Sequence, residues 1–380
     1  MATTIATSAS HQRNIALDVL RGMTICFMII VNTPGNSATT FSPLNHAKWF
    51  GFTPTDLVFP SFLFVVGNAL SFVMKKWENM PQGEVVWKIL KRTALIFLLG
   101  YLMYWFPFFR MDNHHHIVGA PISETRIMGV LQRIALCYGI AALMIYYLKI
   151  RASVIICVAI LFLYWIILYS FGDPADPLSM QGNAGFYLDK WLMGEHHMYH
   201  GEGVAFDPEG WLSTLPAIGN VVGGYVVGKW VQHKGSSYEV VTKLLMAGFG
   251  LLVCGYFWDL LFPISKKLWT SSFVVYTVGL DCIILAVLMY IIQIQDKVKW
   301  TGFFQVFGKN PLFIYLLSEL GVTILFMIPV GNSNLFRWTF QTIFSHAGGY
   351  LGSLLFAISY MLFCWCVGYW LDKRHIYVRV

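Results

Sequence analysis

The chain is 380 residues long, 57% hydrophobic and 17% aromatic, and only 12% of it is charged, against roughly 25% charged in an ordinary soluble domain. That composition excludes a soluble fold, which could not hide so much apolar surface, and stretches of about 20 apolar residues recur at the length a helix needs to cross a hydrocarbon core of roughly 30 Å. The net charge of +7 does not point to nucleic acid, because the basic residues stand at the ends of apolar runs and not on one polar face.

The first dozen residues are polar and hold no apolar core of a cleavable signal, so 1–12 reads as a disordered or interfacial tail ahead of a single transmembrane domain over 13–380. Apolar runs bounded by Gly, Pro and charge predict spans near 15–32, 54–74, 89–109, 128–148, 152–171, 211–231, 241–262, 271–293, 309–329 and 351–371. The expected fold is therefore all-α, a polytopic transmembrane bundle of about ten helices. Between the fifth and sixth runs lies the longest polar stretch, 172–210, rich in Asp, Glu and Gly and with room for a binding site. The seven cysteines fall inside apolar runs and act there as small hydrophobes.

Lys and Arg set the orientation. One alternating set of connecting segments, with both termini, holds 17 of the 26 Lys and Arg, and the other set holds seven. Both termini are accordingly expected inside, with 33–53 and 172–210 together on the outer side.

Ionisable residues inside a membrane are costly and mark function by default. Asp18 and Arg21 share one helical face at a spacing suited to an ion pair, structural or ligand-directed. Gln132 and Arg133 stand about a turn below the outer surface, where a guanidinium would hold a neighbouring carboxylate or steer an anionic ligand. The segment 30–71 ends one helix at Asn32 and Pro34, loops out through His46 and Trp49, and starts the next helix at Thr53-Pro54 with Asp56 one turn in. Thr53 suits an N-cap, Pro54 the first helical position, and Asp56 the positive end of the helix dipole. The inside run Lys75, Lys76, Lys88, Lys91 and Arg92 reads either as a positive-inside signal or as a phosphate site. His114 to His116 with Asp112, and His196, His197 and His200 with Glu195, lack Cys partners or an HExxH pattern and read as loop histidines, so no metal is expected.

Five blocks, "NHAKWFGFTPTDLVFP", "GVLQRIALCYG", "AFDPEGWLSTLPAIGN", "KKLWTSSFVVYTVG" and "GKNPLFIY", in this order from about residue 13 to the C-terminus, resemble the heparan-α-glucosaminide N-acetyltransferase family and its bacterial relatives. The lysosomal members carry an additional lumenal domain and a further helix, so the match covers the membrane core. The resemblance implies an acetyltransferase that takes acetyl-CoA from the cytosol and acetylates the amine of a glucosamine-type sugar across the membrane, as a homodimer. It marks His46 as the active-site histidine, with Asn32, Asp56 and Pro60 around it and Arg133, Asp207 and Glu209 in the "LQR" and "DPEG" blocks. With no lumenal domain, a bacterial cytoplasmic (inner) membrane is the expected home.

Acetyl transfer needs a neutral amine, a group to take its proton, and a donor for the tetrahedral oxyanion. An imidazole suits neutral pH; His46 would serve as acetyl-accepting nucleophile or as general base. Asn32 is the candidate oxyanion donor and Asp56 the group that holds the imidazole tautomer. Arg133, Lys75, Lys76, Lys91 and Arg92 are assigned to acetyl-CoA, and Asp207, Glu209 and Trp49 to the amino-sugar acceptor. Since the thioester must reach an outer histidine from the inner face, a polar cavity through the bundle is expected. A transporter for amino sugars, and an O-acyltransferase of a surface polysaccharide, are the competing readings.

Overall fold

The computed structural model describes residues 15–111 and 116–378. The tail 1–12 and the segment containing Asp112, His114 and His115 lie outside the described residues. Each of the ten expected segments is helical. In chain order they are α1 Ile15–Asn32, α2 Val58–Trp77, α3 Gln82–Trp105 and α4 Val130–Phe171, followed by a short α5 Ala184–Met193. After these come α6 Trp211–Lys234, α7 Tyr238–Asp259, α8 Ser271–Met289, α9 Thr301–Lys309, α10 Pro311–Met327, α11 Leu335–Thr339 and α12 Gly349–Lys373. Among the described residues six helices are long and apolar enough to cross a membrane, seven if the bent pair α9 and α10 is one span.

The departures from the sequence reading have local causes. The runs 128–148 and 152–171 do form two helices as expected, directly joined within Val130–Phe171 by a kink at Lys149, whose φ is 61°. The last long run before the C-terminal helix is preceded by α9, and the pair bends by 83° around Asn310 and Pro311, because Pro311 cannot donate into a continuing helix. The loop 172–210 is not all irregular: Asn183 caps α5 by accepting from Phe186 N at 2.8 Å. Two short antiparallel ribbons, β1 Phe109–Met111 with β2 Ile117–Gly119 and β3 Pro329–Val330 with β4 Ser333–Asn334, are the strands among the described residues.

Inside lipid there is little hydrophobic drive between helices, so close packing through small residues holds them. Helix α2 crosses α6 where Gly67 meets the backbone of Val221 and Gly224 that of Phe64. A methyl on either glycine would stand 1.9 Å from a carbonyl oxygen. Helix α1 meets α9 in the same manner, Gly22 against Phe304 and Gly308 against Asp18. The first crossing fixes α2 against α6, and the second fixes α1 against α9.

Candidate active site

The loop 33–53 is tied down at several points. Asn36 N donates to Ser353 Oγ at 3.0 Å, and Gly51, at a left-handed φ of 102°, donates its N–H to Ile264 O at 2.8 Å. Trp49 Nε1 donates to Leu178 O at 2.9 Å and its ring meets Phe206 edge-on, which docks this loop on the segment 172–210. Trp49 is half-buried in that contact.

Asp56 has all of its acceptor capacity used by this loop. Its Oδ1 lies 2.6 Å from His46 Nδ1, while Oδ2 accepts from Ala47 N at 3.1 Å and from Thr53 N and Thr53 Oγ1 at 3.0 Å each. The bond to Thr53 N is the expected helix-start contact, and Asp56 is buried with Pro54 at the first helical position. A carboxylate with no other donor at Oδ1 fixes the Nδ1–H tautomer of the ring. Nε2 forms no hydrogen bond among the described residues, and the His46 side chain is 40% exposed. Burial of the ring and the ammonium of Lys266 lower the His46 pKa below its ordinary 6.5, against the opposing pull of Asp56 and Glu209. The imidazole is therefore neutral at neutral pH.

Beside the dyad lies a buried ion cluster. Arg126 grips Asp207 with two bonds, Nε to Oδ2 at 3.0 Å and Nη2 to Oδ1 at 2.7 Å, and donates to Glu209 Oε2 at 2.7 Å. The guanidinium is held between the rings of Tyr104 and Tyr199, 5.0 and 4.7 Å from their centroids. Lys266 Nζ stands 3.8 Å from Glu209 Oε1. Burial pushes the Glu209 carboxyl up, but Lys266, Arg126 and Arg133 outweigh it and hold the pKa down at about 2. Asp207 and Glu209, read from sequence as an acidic face for the acceptor, are thus buried and neutralised by Arg126 and Lys266. Neither cation stood out in the sequence, although both lie in the set of connecting segments that holds few basic residues. Nearby, Asp189 on α5 accepts from Trp211 N at 2.8 Å, and its burial raises its pKa to about 7.

The remaining assigned residues separate. Asn32, at the end of α1, donates Nδ2–H to Glu319 Oε1 on α10 at 3.2 Å. Arg133 is fully buried in the first turn of α4, bonded to Gly210 O at 3.2 Å and to Ser213 Oγ, with Trp269 4.8 Å from its guanidinium. Its Nε and Nη1, and both amide atoms of the fully buried Gln132, have no partner among the described residues. Lys75, Lys76 and Lys91 are exposed. Arg92 instead turns inward over the Tyr138 ring, 4.9 Å away. It lines a cavity of about 300 Å³ together with Arg21, Lys309 and Tyr138, whose walls continue along α2 from Leu70 to Phe62 and reach Leu131 and Ile134 on α4. Arg92 Nε and Tyr138 Oη lack partners there among the described residues. The end with the basic residues lies beside Val378, and Lys309 is held there by Asp372 at 2.7 Å. Phe62 is six residues beyond Asp56, about 9 Å along a helix. Asp18 and Arg21 form the expected ion pair at 3.5 Å.

Residues 13–256 match the family described as heparan-α-glucosaminide N-acetyltransferase, catalytic. The chain is 27% identical over 375 residues to the heparan-α-glucosaminide N-acetyltransferase of Mus musculus, an alignment covering 82% of this chain and 54% of the mouse protein. Against the Homo sapiens protein of the same name it is 26% identical over 378 residues, with the same coverage of each chain. The chain thus spans 54% of the length of these curated relatives, and it belongs to the heparan-α-glucosaminide N-acetyltransferase family.

Proposed function

We propose that this member of the family is a transmembrane N-acetyltransferase, which moves acetyl from acetyl-CoA at the inner face to the amine of a glucosamine-type sugar at the outer face. The observation that carries it is the pairing of two sites at opposite ends of α2. A half-exposed, neutral His46 is oriented by a buried Asp56 at one end, and a cavity bearing Arg21, Arg92 and Lys309 opens at the other and runs along α2 toward it. Ten crossings of one domain with both termini inside would put the cationic cavity in the cytosol, as the Lys and Arg distribution favours. A homodimeric assembly completes the proposal and rests on the family resemblance alone.

In this reading the phosphates of the donor lie among Arg21, Arg92 and Lys309, and the thioester is carried along the walls of α2 and α4. The unprotonated Nε2 of His46 is the reacting atom. It takes the proton of the attacking amine, or first accepts the acetyl group as an N-acetylimidazole that the amine then attacks. Either way the C–S bond breaks, the new C–N bond forms, and the thiolate leaves with the proton as free CoA thiol. Asp56 stabilises the ring when it carries positive charge.

The test is direct. Purified protein in detergent or vesicles, given acetyl-CoA and glucosamine, is expected to release thiol and form N-acetylglucosamine in equal amounts, and His46→Ala to abolish both. Glucosamine flux across vesicles with no thiol released, or full turnover by His46→Ala, would overturn the proposal. Mass spectrometry of enzyme quenched after acetyl-CoA alone, searched for acetyl on His46, separates the two routes.

A further inference from the structure

We propose that Glu319 on α10, with Asn32 of α1, is the subsite that receives the acceptor amine. This rests on the amine-acetylating reading above and names the group that recognises its substrate.

An amine entering a low-dielectric site needs acceptors that the protein has not already saturated. The carboxylates around the His46 end are either paired or sealed off. Asp56 takes His46, Ala47 and Thr53. Asp207 and Glu209 take Arg126, with Lys266 beside Glu209. Glu202 takes Lys267 at 2.5 Å, and Asp189, which accepts the N–H of Trp211, is buried. Glu319 differs: among the described residues it has no Lys, Arg or His within ion-pair distance, and its carboxylate is met by the single amide of Asn32 at 3.2 Å.

Its setting argues against a structural role. Glu319 is the one charged residue in Pro311–Met327, an otherwise apolar helix, where a carboxylate is costly unless something uses it. It is half-buried and Asn32 is exposed, so neither is sealed in the core. Asn32 ends α1 where the loop that carries His46 begins, and Glu319 acts electrostatically on Tyr104, whose ring and hydroxyl hold Arg126 beside Glu209. While Asn32 spends an N–H on Glu319, its carbonyl oxygen stays free to accept. A carboxylate and an amide carbonyl side by side make a receptor for a group with two or three N–H donors, which is the amine of an amino sugar and not the hydroxyl of a neutral one.

The experiment uses the full chain in detergent without acetyl-CoA, and measures binding of glucosamine and of glucose by calorimetric titration. The unmodified protein is expected to prefer glucosamine. Glu319→Gln is expected to weaken glucosamine binding about 10- to 100-fold, the size of a lost charge-assisted hydrogen bond, to leave glucose binding unchanged, and so to erase the preference. Glu319→Asp, which keeps the charge, should retain part of it, and if Glu319→Gln does not fold, Asn32→Ala should still show a partial loss. Unchanged glucosamine preference in Glu319→Gln, or no glucosamine binding by the unmodified protein, overturns the assignment. Glucosamine binding that depends on Glu319 in a protein that makes no N-acetylglucosamine would support it and remove the transfer reading instead. Normal turnover with an unchanged glucosamine KM in Glu319→Gln would do the reverse.

Discussion

Replacing Asp56 by Asn tests the proposed chemistry with almost no change of shape. In the wild-type protein Oδ2 accepts from three donors, Ala47 N, Thr53 N and Thr53 Oγ1, and Oδ1 faces His46 Nδ1 alone. An asparagine settles with its carbonyl oxygen toward the three donors, since the opposite orientation would set its NH2 against all of them. Its NH2 then faces His46 Nδ1, which must become an acceptor, and the ring proton moves to Nε2. The nitrogen expected to take the proton or the acetyl group is thereby blocked. A comparable tautomer reversal in a hydrolase triad lowers kcat by about 10⁴, so a loss of about 10³- to 10⁴-fold in kcat is expected here, or about 4 to 5.5 kcal/mol of transition-state stabilisation. The stability cost should be smaller, about 1.5–3 kcal/mol for one charge-assisted bond. The assay is thiol release from acetyl-CoA with glucosamine, together with thermal unfolding of the same preparations. A folded Asp56→Asn protein whose kcat stays within tenfold of the wild type would falsify the tautomer assignment, and Nε2 would no longer be the reacting atom.

Three further outcomes are expected. Because the His46 pKa lies below 6.5 and the neutral ring is the active form, kcat/KM should be full at neutral pH and fall as pH drops through that lowered pKa; Lys266→Met should move this acid limb to higher pH, and Glu209→Gln to lower pH. Shifts of the same sign in both variants would contradict an electrostatic action on the ring. Arg126→Met leaves Asp207 and Glu209 buried without their guanidinium and should destabilise the protein by about 3–5 kcal/mol, read as a marked drop in Tm; an unchanged Tm would mean the cluster is not the anchor described. Arg92→Gln and Lys309→Gln should each raise the KM for acetyl-CoA several-fold, whereas Lys75→Gln and Lys76→Gln should not, and equal effects in both groups would detach the cavity from the donor.

The local parts of this protein were legible in its sequence. Helix positions follow from the length of apolar runs, since a backbone in lipid must satisfy its own hydrogen bonds and has few other solutions. His46 and Asp56 are close in sequence, and their junction is written in a short block whose Thr53, Pro54 and Asp56 each have one conformational use. The partnerships were not legible where they join distant residues. Arg126 and Asp207 are 81 residues apart and Asn32 and Glu319 are 287 apart, and no spacing rule connects them. For the same reason the acidic pair Asp207 and Glu209, assigned from sequence to the acceptor, is buried and paired with Arg126. The basic run from Lys75 to Arg92 shows the limit most simply. Lys91 and Arg92 are adjacent in sequence, yet about 100° of helical rotation sends Lys91 to the surface and Arg92 into the cavity. What stands at the other side of that cavity, Arg21 and Lys309, was decided by glycine contacts between α1 and α9 that only the packed bundle reveals.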